Sequence, residues 1–352
     1  MVLLDDIVNR QQVFKNLTTT LPILDQLLLN VPLKNKIYDF QTTPTNNAVY
    51  LILNQLITSH LQNNPNHKVI IIDIVNKYPA GQLLAHPGFN EDFTERIIHY
   101  RLNTFAKIYY FFINNDIPQD SIVIIHEFHL MLELYKLEMS ATYEELILKH
   151  HIEQNLTVIE NKDKEDKVPI PQLPKNSDLL KMSPIVKYEN HVNNIIHLIN
   201  KRCINSNLMV FLHGYLTTKY RPYRLKPKPD QPINPYNQKG RVVLTPFQAH
   251  KMLTTKFLFY QDWLHKSPVF LQKQVSHKLQ DSDLKLIYAC QVENNNTIYN
   301  PIYYDFNYNT IIDLTKIQRE STNLPSSPNI YDTSVINLSV LDDDIISNSE
   351  TE

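Results

Sequence analysis

Residues 67–82 read HKVIIIDIVNKYPAGQ, and the interpretation of this stretch decides the fold. The apolar run from Val69 to Ile72, closed by Asp73 and Ile74, is too short for a free-standing helix. It is rich in β-branched residues and is bracketed by Asn64-Pro65-Asn66 and Lys77-Tyr78-Pro79. A continuous apolar run of this length between turn residues marks a strand buried on both faces, as in a parallel α/β sheet. Asp73, at its carboxyl end, falls where such sheets place their ligand and partner surfaces.

Working outward, residues 36–40 (KIYDF) form a short strand, 41–47 (QTTPTNN) a polar loop and 48–61 an amphipathic helix, which together with 68–74 make one βαβ unit. A further strand and helix are expected through 96–114, and 121–125 (SIVII) is the next buried strand. After Tyr143 the periodicity weakens. The segment 143–187 reads as a flexible insertion, its stretch 160–181 carrying a mixed-charge run at 162–167 and three prolines, Pro169, Pro171 and Pro174. A helix at 189–203 and strands at 208–212, 255–261, 284–292 and 298–306 complete a core spanning 31–318. Ahead of it, Leu17, Leu21, Leu24 and Leu27 recur at near-helical spacing, so residues 1–30 form a helical arm that packs on the core or binds a partner. Behind it, 319–352 holds seven acids and, from Glu320 on, neither Lys nor Arg, the composition of a disordered acidic tail.

The 352 residues suffice for one large domain with appendages, and 43% apolar against 20% charged residues suits a folded chain. Four glycines, Gly81, Gly88, Gly214 and Gly240, leave almost no material for a Gly-rich phosphate loop. The net charge of −2 announces no polyanionic partner, so any such signal has to be local. Cys203 and Cys290 stand in apolar settings and read as buried reduced thiols. With no apolar run of membrane-spanning length and no signal peptide at Met1, an intracellular protein is expected.

The local signal is at 217–241. Lys219, Arg221, Arg224, Lys226, Lys228, Lys239 and Arg241 face one acid, Asp230, a local +6, and Tyr215, Tyr220, Tyr223 and Tyr236 are interleaved. Cations neutralise phosphates and release counterions, while tyrosine faces stack bases. Five prolines keep the segment extended. A solvated loop that balances the acidic tail is the plainer alternative.

The order of pieces resembles the ATPase core of RecA-type recombinases and their eukaryotic paralogues. Ile72-Asp73-Ile74-Val75 followed by Tyr78-Pro79-Ala80-Gly81-Gln82-Leu83-Leu84 looks like the family's Ile-Asp-Thr-Glu ending and its aromatic-x-Pro-x-x-Leu-Leu stretch. Residues 122–125 take the place of the Walker B strand. The helix at 189–203 and strand at 208–212 are similar to the pair before the second DNA-binding loop, and Thr254-Thr255-Lys256-Phe257-Leu258-Phe259 resembles the strand after it. The resemblance covers roughly residues 34–315 and implies that 217–241 holds DNA, which favours that reading over the solvated loop. Tyr223 and the seven cations are its expected contacts.

The departures are functional. The stretch 40–51 (FQTTPTNNAVYL) has no Gly and no Lys, and Thr42, Thr43 and Thr45 cannot replace them. The metal-holding Asp is replaced by His126, with Glu127 next, and the catalytic Glu by Val75. The resemblance therefore implies a non-hydrolysing paralogue without cofactor. Such a chain is similar to the RecA-like subunits of the yeast Shu complex, notably through Lys68 to Val75. It implies a nuclear protein that works with a RecA-like partner subunit and a recombinase in homologous recombination and error-free post-replication repair.

Other motifs are weaker. His126-Glu127-Phe128-His129 lacks the i, i+4 histidine spacing of zinc proteases, His150-His151 has no third ligand nearby, and no nucleophile signature exists. Asp73 is expected to cap the turn after its strand or to pair locally with a basic residue, and Trp263 to sit in the core. Two other functions fit the same residues: an adaptor that binds protein partners without touching DNA, and an α/β metal-dependent nucleotide enzyme using Asp73 and Glu127.

Overall fold

Strand β1 (Ile37–Thr42) is buried at every position, and the sheet is built outward from it. The computed structural model describes residues 13–14, 16–29, 36–44, 46–162, 169–170, 183–222, 240–248, 253, 255–265, 284–294, 297–307 and 309–314. All lie within the unit Met1–Thr315.

After helix α1 (Pro22–Leu29) and β1, helix α2 (Ala48–Asn63) leads to β2 (Val69–Asp73). The short α3 (Ala80–Leu84) and a 3₁₀ turn (Glu91–Arg96) lead to β3 (Ile97–Arg101), and α4 (Phe105–Asn114) to β4 (Ile122–His126). Helices α5 (Phe128–Glu160) and α6 (Pro184–Ser206) precede β5 (Met209–Tyr215). A two-stranded ribbon, β6 (Thr217–Pro222) with β7 (Gly240–Thr245), stands apart from the main sheet. Strands β8 (Thr255–His265), β9 (Leu284–Asn294), β10 (Thr297–Ile298), β11 (Ile302–Asn307) and β12 (Thr310–Asp313) finish the fold.

The ten-stranded sheet runs β12-β11-β9-β8-β1-β5-β4-β2-β3, with β10 on β9. From β8 to β3 every pairing is parallel; beyond β8 the additions are antiparallel. Parallel neighbours need crossovers, which α2, α4 and the α5–α6 pair supply. The fold is α/β, a mostly parallel sheet flanked by helices.

Alternation along each central strand divides its side chains between two cores. Tyr38, Phe40, Ile124 and Phe211 pack with α1 and α2 on one face. Ile37, Val123, Ile125 and Leu212 pack with α4, α6 and the start of α5 on the other. Phe40 is the centre of the first core, its ring 5.1 Å from Phe211, 4.9 Å from Phe257 and 5.1 Å from Phe259. Local signals agree with these elements. The Thr104 hydroxyl accepts from the Lys107 N–H at the start of α4, and Asn207, in the left-handed region at φ 50°, ends α6.

The structure bears on several expectations, and two of them need correcting. The insertion expected at 143–187 begins as helix, because α5 runs unbroken to Glu160 and α6 starts at Pro184; residues 163–168 and 171–182 lie outside the described residues. The periodicity weakens there because that part of α5 leaves the body. The segment 217–241 is not all loop, since both its ends are strand. Of the arm at 1–30, Leu21, Leu24 and Leu28 are buried in the first core, so the described part packs on the body. Trp263 belongs to β8, while its surroundings and the acidic stretch 319–352 lie outside the described residues. Among the described residues no helix is long and apolar enough to cross a membrane.

Because Phe40 is fully buried among three aromatic rings, Phe40→Ala should cost about 3–5 kcal/mol in urea unfolding with the m-value unchanged. A loss below about 1 kcal/mol would remove β1 from the centre of the core.

Candidate functional site

Neighbouring strands β2 and β4 send the chain to opposite faces of the sheet, β2 through α3 and β4 through α5. In open α/β sheets the crevice at such a switch point receives ligands. Here Asp73 sits in register with His126 at the carboxyl ends of the two strands. The Asp73 carboxylate accepts the Tyr78 N–H at 2.9 Å and lies 3.7 Å from the His99 ring, so it caps the turn that follows its strand. Glu127, fully buried and in the left-handed region at φ 64°, accepts from the Asn76 backbone at 2.8 Å and its side-chain amide at 2.7 Å. Both carboxylates close the β2–α3 connection. Val75, two residues after Asp73, is exposed.

On the α2 face, His126 and His213 meet Nδ1 to Nδ1 at 3.0 Å. One ring must donate and the other accept, which needs at least one neutral imidazole. Burial lowers both pKa values, that of His213 furthest. Tyr50, in the first turn of α2, lies across them, its ring centroid 5.1 Å from His213 and 5.7 Å from His126. On the same side, the Tyr215 hydroxyl donates to Glu127 at 3.4 Å, and the Tyr215 ring lies 5.7 Å from His213. Tyr78 closes the other side, 5.8 Å from His126, and donates to Asn54 at 2.7 Å. The connection from β1 to α2 turns inward as well: the Asn46 N–H goes to the Thr43 carbonyl and the Ala48 N–H to the Asn46 side chain. A phosphate cradle needs such N–H groups pointing outward.

On the opposite face, the fully buried Asp39 accepts from Gln41 at 2.8 Å, and its other oxygen lies 2.8 Å from His129 Nε2. That N–H is not aimed at the oxygen, so proximity rather than a directed bond joins the pair. His129 lies flat against Gly214, where a Cβ would come within 2.0 Å of Nδ1; only glycine fits there. Gln41 also bonds both backbone groups of Phe247, accepting its N–H at 2.7 Å and donating to its carbonyl at 2.8 Å, and His129 stacks on the Phe247 ring. Phe247 follows β7, so this double bond fixes the exit of the β6–β7 ribbon to the central strand. The entry is fixed by β5, which reaches β6 through Leu216, whose N–H bonds the Thr42 carbonyl. A cleft of about 240 Å³ opens at the foot of the ribbon, between His129, Leu130 and Glu133 of α5 and residues 215–218.

Of the expected DNA contacts, Lys219 is exposed on β6, and Arg221 and Arg241 occupy directly opposite register positions. Tyr223, Arg224, Lys226, Lys228 and Lys239 lie outside the described residues. Residue-by-residue reasoning did not find Tyr50, His213, Gln41 or the Asp39–His129 pair. The signal available was polar Asp39 and Gln41 alternating within an otherwise apolar strand. Among the described residues no group of three or more His, Cys, Asp or Glu is placed to hold a metal. Cys203 and Cys290 are free and buried, and burial pushes the Cys203 thiol up to about 12. A scan against protein-family models and a search of curated proteins find no match to this sequence.

Burial lowers the pKa of His60 to about 3 and lowers those of His126 and His213 as well, His213 well below the ordinary imidazole value. A depressed imidazole stabilises the fold above its unfolded value near 6.5 and loses that contribution as pH falls below it, about 1.4 kcal/mol per pH unit for each group. Urea midpoints should therefore drop between pH 7 and pH 5, and His213→Gln should shallow the slope. A midpoint that stays level would contradict this assignment.

Proposed function

We propose that the chain is a RecA-like recombinase paralogue that does not hydrolyse nucleotide and binds DNA through residues 217–241. On this reading it serves in the nucleus as a recombination mediator, beside a RecA-like partner subunit, in homologous recombination and error-free post-replication repair. The position of the phosphate loop lacks Gly and Lys, and the crevice beside it is taken up by Tyr50, Tyr78, His126 and His213. Asp73 and Glu127 each accept backbone N–H groups, which argues against the metal-dependent enzyme.

The observation that carries the proposal is the register of the ribbon. Arg221 stands opposite Arg241, with Lys219 two residues back on the same alternation. Like charges directly across an antiparallel pair are destabilising, and a bound phosphate backbone removes that cost. The ribbon rises from the carboxyl edge of the sheet with both ends tied to β1, so the strands that carry Lys219, Arg221 and Arg241 are anchored to the central strand.

The test is fluorescence anisotropy on single-stranded and forked DNA. The wild type should bind with a steep salt dependence. Changing Arg221, Arg224, Lys226 and Lys228 to Glu should weaken binding at least tenfold and cut the slope of log K against log salt by about 3 on single strands. Unchanged affinity would move the basic segment to an acidic protein surface and favour the adaptor.

A further inference from the structure

Helix α5 is 33 residues long, but only Phe128, His129, Met131 and Leu132, all in its first two turns, are buried. Tyr135 is the last residue firmly held, its ring 4.2 Å from Phe105 and its hydroxyl 2.5 Å from His191 Nδ1. Beyond it the helix continues for seven turns, and the side of it that is half-buried carries Met139, Tyr143, Ile147 and His150. The other side carries Leu134, Leu137, Leu148, Ile152, Leu156 and Ile159, 47–66% exposed. At 100° per residue these six and Ala141 fall within one stripe about 100° wide, and it runs about 37 Å along the axis. Glu138, Glu145 and Asn155 interrupt this sector, so seven of its ten positions are apolar. Scattered exposed leucines are ordinary on a protein surface; that density along one sector is not.

The flanks of the stripe carry the second observation. α5 holds six glutamates, Glu133, Glu144, Glu153 and Glu160 beside the stripe and Glu138 and Glu145 within it, against two lysines, Lys136 and Lys149. Lys149 is engaged by Glu145 at 2.8 Å. An antiparallel second copy would set acidic flank against acidic flank, which charge patterning in helix pairs selects against. A helix with lysine or arginine beside its own apolar stripe meets the opposite condition.

We propose that the exposed face of α5, from Leu134 to Ile159, is the docking surface for a basic amphipathic helix of another protein. The two helices pair along the stripe, apolar residues interlocking, while cations on the incoming helix neutralise the glutamates at its margins. This surface is separate from the ribbon at 217–241 and does not depend on DNA binding.

The probes are two synthetic helical peptides with leucines at a and d positions, one with lysines and one with glutamates at e and g. They are titrated against the full chain by fluorescence anisotropy. The lysine peptide should bind at least tenfold more tightly than the glutamate peptide. The exposed triple variant Leu148→Gln, Ile152→Gln, Leu156→Gln should lose that binding at least tenfold with its melting temperature unchanged. Reversing Glu138, Glu145 and Glu160 to Lys should exchange the preference of the two peptides. Three results would overturn the proposal. One is binding of neither peptide. Another is lysine-peptide binding that survives the triple variant, which would assign it to acids alone, such as those of 320–352. The third is a wild-type dimer in light scattering that the triple variant dissociates, which would make the occupant a second copy.

Discussion

Polar side chains at the carboxyl edge of β1, β4 and β5 have to be satisfied by one another. The Nδ1 to Nδ1 contact of His126 with His213 is where that constraint is sharpest. Two imidazoles at 3.0 Å tolerate one donor and one acceptor, so at least one must stay neutral, and burial beneath Tyr50, Tyr78 and Tyr215 favours the neutral form. The consequence reaches far along the chain. Tyr50 fixes the first turn of α2 over the sheet, Tyr215 ties β5 to Glu127, and Glu127 in turn closes the connection after β2. An edge that sheets of this kind leave open for a ligand is here an interior.

The same edge governs the opposite face. Asp39 and Gln41 sit on the side of β1 away from Tyr50, and Gln41 spends its amide on the two backbone groups of Phe247. A buried amide bonded to a backbone N–H and carbonyl fixes that segment as a neighbouring strand would. The β6–β7 ribbon is thereby rooted at both ends in the central strand. On the proposed reading, this rooting anchors the strands that carry Lys219, Arg221 and Arg241 to the sheet. The exposed stripe of α5 lies on a different element, so nucleic acid and a protein helix would be held independently.

Much of this architecture was legible in the residues. The apolar runs of β2 and β4, the helix after β1 and strands β1, β5, β8, β9 and β11 follow from local pattern, because their apolar residues are buried in the sheet or packed along one stripe. What was not legible is pairing across distance. His126 and His213 are 87 positions apart and Gln41 and Phe247 are 206 apart, and no local periodicity reports such partners. The ribbon was hidden by its composition: Pro222 and Gly240 at the ends of β6 and β7 are turn residues, and the cations between them read as loop. α5 beyond Tyr143 was hidden for the reverse reason. Its apolar residues face solvent rather than a core, so its pattern does not match that of a packed helix.

The central claim is that the crevice at the carboxyl edge is filled by Tyr50, Tyr78, His126 and His213 and that no nucleotide site remains there. Isothermal titration of the full chain with Mg²⁺-ATP tests it most directly. The account predicts no saturable heat up to millimolar nucleotide. Saturable binding that Tyr50→Trp abolishes would place a nucleotide in the crevice and contradict it.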